Sequence, residues 1–208
     1  MRFLFNLAVR NLFRHRRRTI ITAIALGVGL GIYIFLDAFL LGAELESQRN
    51  LVWYETSSAR VYDDSYWEER LLRPLDIVIE EPGEVLGVLG EMDIPAAPRT
   101  VFSGELVVFR DPYPEDGNAR ITAYGIDPEL DDDVFRLEET LTEGRYLEPG
   151  EPGALLGAWL AEDLGAQVGY PLTIITRTRQ GYYQTMDLEI VGIINTPNPV
   201  INRTGLFV

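Results

Sequence analysis

The chain opens with a pattern of apolar positions typical of a membrane-anchored helix. Residues 19–41 form a run of 23 in which only two threonines, one tyrosine and one aspartate carry a polar group. As an α-helix this segment would be about 34 Å long at ~1.5 Å per residue, against a hydrocarbon core of about 30 Å. The pattern therefore predicts a transmembrane helix over residues 19–41.

Residues 1–18 precede this run and have the periodicity of an amphipathic helix. Polar side chains recur every three or four residues, and the apolar ones fall together on the opposite side of a helical wheel. We expect a cytoplasmic, interfacial helix whose arginines meet anionic lipid, with a disordered basic tail as the alternative. The predicted membrane-surface residues are Arg10, Arg14, Arg16, Arg17 and Arg18.

Beyond the apolar run, short apolar segments alternate with turn signals and helical stretches. Gly42–Asn50 reads as the same helix continuing into water. The mixture that follows predicts one α+β domain over residues 42–208. Strands are expected at 59–62, 75–79, 105–109, 120–124, 155–157, 172–178 and 186–194, the last two joined by a hairpin turn at Gly181, and helices at 82–91, 128–135 and 158–164.

Charge is divided sharply between the two ends of the chain. Residues 1–18 hold six arginines and no acid, whereas residues 42–208 hold 12 arginines and 31 acids. Because basic residues flank the cytoplasmic end of a span, we expect an inner-membrane protein whose residues 42–208 are periplasmic or otherwise extracytoplasmic. Two alternatives remain open: a cleaved signal peptide, whose apolar region is usually ~7–15 residues, and the core helix of a soluble protein.

Composition removes several classes of chemistry. The chain has no cysteine and one histidine, His15, which excludes disulfides, thiolate nucleophiles and Cys/His zinc sites. It has no lysine, so a Walker A motif cannot occur. The acidic residues 131–133 with Glu138 and Glu139 lack the alternating spacing of a calcium loop and read as a solvated helix end. We expect no enzyme activity, cofactor, metal or nucleic-acid partner.

A strip of small residues lies within the predicted span. Ala23, Gly27 and Gly31 recur at i, i+4 and i+8, which places them on one face of a helix. Small residues let two helix backbones approach closely in a membrane. The strip is therefore a candidate packing face for a second transmembrane helix.

Several motifs in order resemble the FtsX/LolC/MacB-like family of ABC-transporter permeases. The first is the segment from Leu7 to Thr19 running into the glycine-bearing span. The others fall in the outer region, where the sequence is similar to a MacB-like periplasmic core domain. They are Tyr124–Pro128, Thr142–Tyr146, Leu156–Gly165, Val168–Gly169 and Ile190–Ile193.

The resemblance implies a permease subunit, or the N-terminal portion of one. Such a subunit pairs with a second permease, as a homo- or heterodimer, and with a separate ABC ATPase. ATP-driven movement of the spans then extrudes or releases an envelope substrate such as lipoprotein. In that setting, Ala23, Gly27 and Gly31 would pack within the permease dimer.

The chain departs from the family pattern in three ways. The family's further spans do not follow residue 41, so we expect a fragment of a longer permease or a truncated or split product. The hairpin around Gly181 is short where LolC-like members carry a loop that engages a carrier. Tyr170 follows Val168–Gly169 where an acidic residue is more usual. The alternative function is a single-span anchored binding or scaffold domain without transport activity.

Overall fold

The computed structural model describes residues 14–71, 73–108 and 117–208. The chain divides into two compact units, residues 1–49 and 50–208. The predicted amphipathic helix over 1–18 lies largely outside the described residues.

The long N-terminal helix α1 extends over Arg16–Leu51 and contains no buried residue. It therefore continues through Gly42–Asn50, as the sequence predicts. A π-helical turn, Val52–Thr56, follows it and ends at Ser57, whose φ is 55°. Of the described residues, Arg16–Thr56 is the one helix whose length and composition suit a membrane span, although a signal sequence would have the same character.

The second unit, residues 50–208, is called the outer unit here after its predicted location. It has an α+β fold, as predicted, and its sheet closes on itself. Strand β5 pairs with both β1 and β6, so six strands form a ring in the order β6-β4-β7-β2-β1-β5, and β3 is added beside β6. The strands are β1 Arg99–Val108, β2 Gly117–Ile126, β3 Leu141–Gly144, β4 Gly153–Gly157, β5 Pro171–Arg177, β6 Tyr183–Ile194 and β7 Gly205–Phe207.

Five short α-helices and a 3₁₀ turn, Glu138–Thr140, accompany the sheet in the described residues. The helix α4 begins at Pro128, where the Asp127 side chain accepts hydrogen bonds from two backbone N–H groups of the first turn. The helix α5 ends at Gly165, which adopts the left-handed conformation that favours glycine. The five helices are α2 Tyr66–Glu69, α3 Pro82–Glu91, α4 Pro128–Asp132, α5 Ala158–Leu164 and α6 Pro199–Thr204.

The ring of strands encloses the main core. Alternate residues of β1 point inwards. Leu106 and Val108 of β1 and Ile174 of the neighbouring strand β5 are almost completely buried. A second apolar cluster forms around Leu155, Ile194 and Phe207 and includes Tyr54 of the π-helical turn. Both cores use the central strands β4 and β6, which explains the unbroken apolar run Ile190–Ile194.

Several local predictions are confirmed and others are wrong. The hairpin β5–β6 forms at Gly181, whose φ is 83°, and the helices at 82–91 and 158–164 have the predicted bounds. The segments 59–62 and 75–79 are not strands, because neither pairs with the closed ring. The helix at Pro128 ends at Asp132, three residues earlier than predicted.

Candidate functional site: an arginine-lined groove

The small residues of the predicted packing strip lie on an exposed part of α1. A methyl group added at Gly27 or Gly31 would meet nothing within 4 Å. Ala23 is exposed as well. The helix thus presents the strip at the predicted spacing, and no described part of the chain covers it.

The described basic residues of the N-terminal end lie at the start of this helix. Arg14, Arg16, Arg17 and Arg18 are exposed at or just before the start of α1. Arg10 lies outside the described residues. The structure therefore places four of the five predicted membrane-surface arginines at one end of the apolar helix.

A groove of about 880 Å³ lies over strands β2, β1 and β5 of the outer unit. Four arginines line it: Arg73, Arg120, Arg177 and Arg179. Two acidic residues, Asp76 and Glu105, lie in the same wall. The groove thus carries two more positive than negative charges, in a region with a large excess of acids.

Strand pairing brings these distant residues together. Arg120 on β2 lies opposite Glu105 on β1, which in turn lies opposite Ile175 on β5. Side chains two residues apart on a strand share a face, so Arg177 lies on the same face as Ile175. The floor of the groove is therefore the outer surface of three adjacent strands.

The segment before helix α3 forms the other wall of the groove. Arg73 Nη1 donates to Thr122 Oγ1 at 2.8 Å and to Ser103 Oγ at 3.1 Å. Arg73 itself has a φ of 49°, a backbone conformation uncommon for residues other than glycine. These two contacts fix its guanidinium group against strands β1 and β2.

A second cavity of about 580 Å³ lies just after the π-helical turn. The Tyr62 and Tyr66 rings stack beside it, with centroids 4.8 Å apart. Hydrogen bonds from the Ser65 side chain and backbone lower the pKa of the Asp63 carboxyl from its ordinary value. Asp63 is fully exposed, so this carboxylate is a solvated surface group rather than a catalytic acid.

One ion pair of the outer unit is buried. Arg99 Nε and Nη2 donate to the two carboxylate oxygens of Asp131 at 2.6 and 2.8 Å, and Asp131 is completely buried. The sequence reading of Asp131 as part of a solvated helix end is therefore wrong, although Asp132 and Asp133 are exposed. The pair joins β1 to α4 and faces the core rather than a cavity.

Burial also affects Tyr146, which interacts electrostatically with this ion pair. It raises the pKa of the Tyr146 hydroxyl well above its ordinary value, and the carboxylate of Asp131 adds to the rise. In the described part of the chain, no three His, Cys, Asp or Glu side chains converge as a metal site.

The groove was not predicted from the sequence. Its four arginines are spread over more than 100 positions, and their meeting depends on the β1–β2 and β1–β5 pairings. A local signal exists only at Arg177 and Arg179, which both come just before the predicted hairpin turn at Gly181.

The motifs that resemble the permease family lie in well-formed elements of the outer unit. Tyr124–Pro128 runs from β2 into α4, and Leu156–Gly165 runs from β4 through α5. Ile190–Ile193 lies in β6. No family model matches the chain, and no curated protein matches it either.

Proposed function

We propose that the chain is a permease subunit of an ABC transporter, or the N-terminal portion of one. The observation that carries the proposal is one long, exposed apolar helix with arginines at its start and a folded acidic domain after its end. The motifs that resemble the permease family, and that occur in the family's order along the chain, support the same proposal. They occupy strands and helices of the outer unit rather than loops alone.

The proposed location is the inner membrane, with residues 1–18 in the cytoplasm and residues 42–208 outside it. Helix α1 would cross the bilayer, since its apolar side chains from Ile20 to Leu41 find no protein surface to cover them. Exposed arginines at its start suit the cytoplasmic surface and its anionic lipids. The acidic domain suits the opposite side.

The proposed mechanism uses the continuity of this helix. Helical hydrogen bonding runs from Arg16 through Thr56. The helix therefore continues from the predicted span through Gly42–Asn50, the segment called the stalk here. A partner ATPase that closes on ATP would shift the spans of two paired permeases. The stalk would pass this movement outwards, where it expels or releases an envelope substrate such as lipoprotein.

The strip of small residues would form the contact between two permeases. Gly27 and Gly31 have open space around them in the chain, so a neighbouring helix can approach the backbone. Such packing relies on close van der Waals contact. A large side chain at either glycine is expected to push the helices apart.

A second function remains supported by one specific observation. The arginine-lined groove lies wholly in the outer unit and needs no ATPase to bind a ligand. In this alternative, the chain is an anchored extracytoplasmic binding or scaffold domain. The two functions differ in their partners, which is what an experiment can measure.

The test is affinity purification of the natural gene product from its own membranes in mild detergent, followed by mass spectrometry. An ABC ATPase in near-equal amount is the expected result. The variant Gly27→Leu/Gly31→Leu is expected to lose the second permease, whereas Gly42→Leu, on the predicted stalk, retains it. Recovery of the wild-type protein without any ATPase would contradict the transporter and favour the anchored binding domain.

A further inference from the structure

The arginine-lined groove has the chemistry of an anion-binding site. We propose that it binds a phosphate group carried by a small polar solute or by a lipid headgroup. The ligand would lie on the outer surface of strands β2, β1 and β5, beneath Arg73 and beside the hairpin turn. The proposal stands apart from the transport function, because every residue that it uses belongs to the outer unit.

The first argument is that the arginines are not neutralised by the protein. None of the four guanidinium groups has a carboxylate oxygen within 4.0 Å among the described residues. Arg73 donates only to hydroxyl groups, and Arg177 donates to the Tyr183 hydroxyl at 3.0 Å. Each arginine therefore retains donors for an incoming anion.

Arginines of the same unit that lie outside the groove include three with carboxylate partners. Arg99 is paired with Asp131, Arg136 with Glu139, and Arg145 with Glu151. In a unit with many acids, partners for arginine are abundant. Arg60, Arg70 and Arg203 also lack a described carboxylate partner, so the groove is distinguished by four such arginines that line one cavity rather than by unpaired arginine as such.

The second argument concerns the number of donors. Six residues with hydroxyl groups line the groove, and two of them, Ser103 and Thr122, accept from Arg73 and so keep their own O–H groups as donors. A carboxylate offers two acceptor oxygens, whereas a phosphate monoester offers three oxygens and up to two negative charges. Four guanidinium groups with these hydroxyls fit the larger set of acceptors better, and the guanidinium groups outnumber the two carboxylates of the same wall, Asp76 and Glu105.

The third argument concerns size and field. A groove of about 880 Å³ is much larger than a phosphate ion, so we expect the phosphate to be part of a larger polar molecule. Residues 42–208 carry a net charge of −19, which repels anions from most of the surface. The groove is a positive patch within that surface, so binding of an anion there would be local and specific.

The test uses the full chain in nanodiscs of zwitterionic phosphatidylcholine. Glycerol 1-phosphate and inorganic phosphate are titrated in separate calorimetric experiments at low salt. The variant Arg120→Gln/Arg177→Gln removes two exposed charges from the groove without touching the core. Arg136→Gln is the matched control, because it removes an exposed arginine that lies outside the groove.

We expect the double variant to bind glycerol 1-phosphate at least about tenfold more weakly than wild type, and Arg136→Gln to bind it within about twofold. Higher salt is expected to weaken wild-type binding. Equal affinity in the wild type and the double variant would overturn the proposal. So would equal losses in the double variant and in Arg136→Gln, since that result reflects net charge alone.

A second arm identifies the source of the phosphate. Hydrogen exchange of residues 73–76 and 175–183 is compared in nanodiscs with and without phosphatidylglycerol. Protection that requires this lipid and both arginines, without binding of glycerol 1-phosphate, assigns the site to a lipid headgroup. Binding of glycerol 1-phosphate assigns it to a soluble phosphoester. The site is refuted if the variant shows that neither protection nor binding depends on the arginines.

Discussion

At the residue scale, the buried pair Arg99–Asp131 is the most consequential contact of the outer unit. Its two hydrogen bonds are short, and the Arg99 guanidinium also lies over the Phe135 ring, 3.2 Å from its centroid. Transfer of both charges from water is costly, so the pair adds little net stability while it is intact. Removal of one partner leaves the other charge buried without compensation.

We therefore predict that Asp131→Asn lowers the free energy of unfolding by about 3–5 kcal/mol. The control is Glu139→Gln, which breaks the exposed pair with Arg136 and is expected to cost at most about 1 kcal/mol. Urea unfolding of the full chain in detergent, followed by tryptophan fluorescence, measures both. Similar losses for the two variants would contradict this account of Asp131.

A pH-dependent contact lies in the loop that follows β3. Glu151 accepts hydrogen bonds from Arg145 and from the Glu148 backbone N–H, and the bonds from Arg145 are the main cause of its lowered pKa. Because the folded-state pKa is lowered, the contact stabilises the loop above the ordinary pKa of glutamate. It is lost as the pH falls through the folded-state value.

The expected result is that the Glu148 amide of the wild type exchanges more slowly than that of Glu151→Gln at pH 7. The difference should persist at the ordinary pKa of glutamate and vanish only at lower pH. Hydrogen exchange corrected for intrinsic rates measures it at each pH. A difference that disappears at or above the ordinary pKa would show that Arg145 does not hold the carboxylate.

At the scale of elements, the packing of helix α6 on strand β4 depends on Gly157. A β-carbon at this position would lie too close to the backbone oxygens of Ile201 and Asn202. The Asn202 side chain, almost fully buried, accepts from the Thr196 N–H and donates to the Thr196 carbonyl oxygen. Contacts with Gly157 and with Thr196 therefore fix helix α6, so it cannot move away to make room for a larger side chain at position 157.

Gly157→Ala is predicted to lower the free energy of unfolding by about 1–3 kcal/mol, because backbone atoms must shift. Gly125→Ala is the matched control, since a methyl group there meets Thr100 at ordinary contact distances of 3.6 Å and more. We expect it to change stability by no more than about 0.5 kcal/mol. Equal effects in urea unfolding would contradict the tight α6–β4 contact.

The elements that the sequence predicts correctly are those with local signals. Pro128 after Asp127 marks a helix start, Gly165 marks a helix end, and Gly181 marks a hairpin. The ring closure, the parallel pairing of β2 with β7 and the burial of Asp131 arise from residues far apart in the chain. The apolar runs alone therefore led to wrong strand predictions at 59–62 and 75–79, since neither segment pairs with a described strand.

At the scale of the whole molecule, the account depends on the division of charge along the chain. Six arginines precede the apolar helix, and 31 acids follow it. The membrane-surface role of Arg14, Arg16, Arg17 and Arg18, the packing strip and the transport proposal all require α1 to span a bilayer. The groove is the one proposed site that would survive if the helix were removed as a signal sequence.

The absence of cysteine makes membrane topology directly measurable. Single substitutions His15→Cys and Ser58→Cys place one exposed thiol before and one after the apolar helix. Spheroplasts that express each full-length variant are treated with a membrane-impermeant maleimide. We predict that Ser58→Cys is labelled in intact spheroplasts and that His15→Cys is labelled only after lysis. Labelling of both thiols before lysis, or a mature protein that lacks residue 15, would contradict the spanning helix and the permease with it.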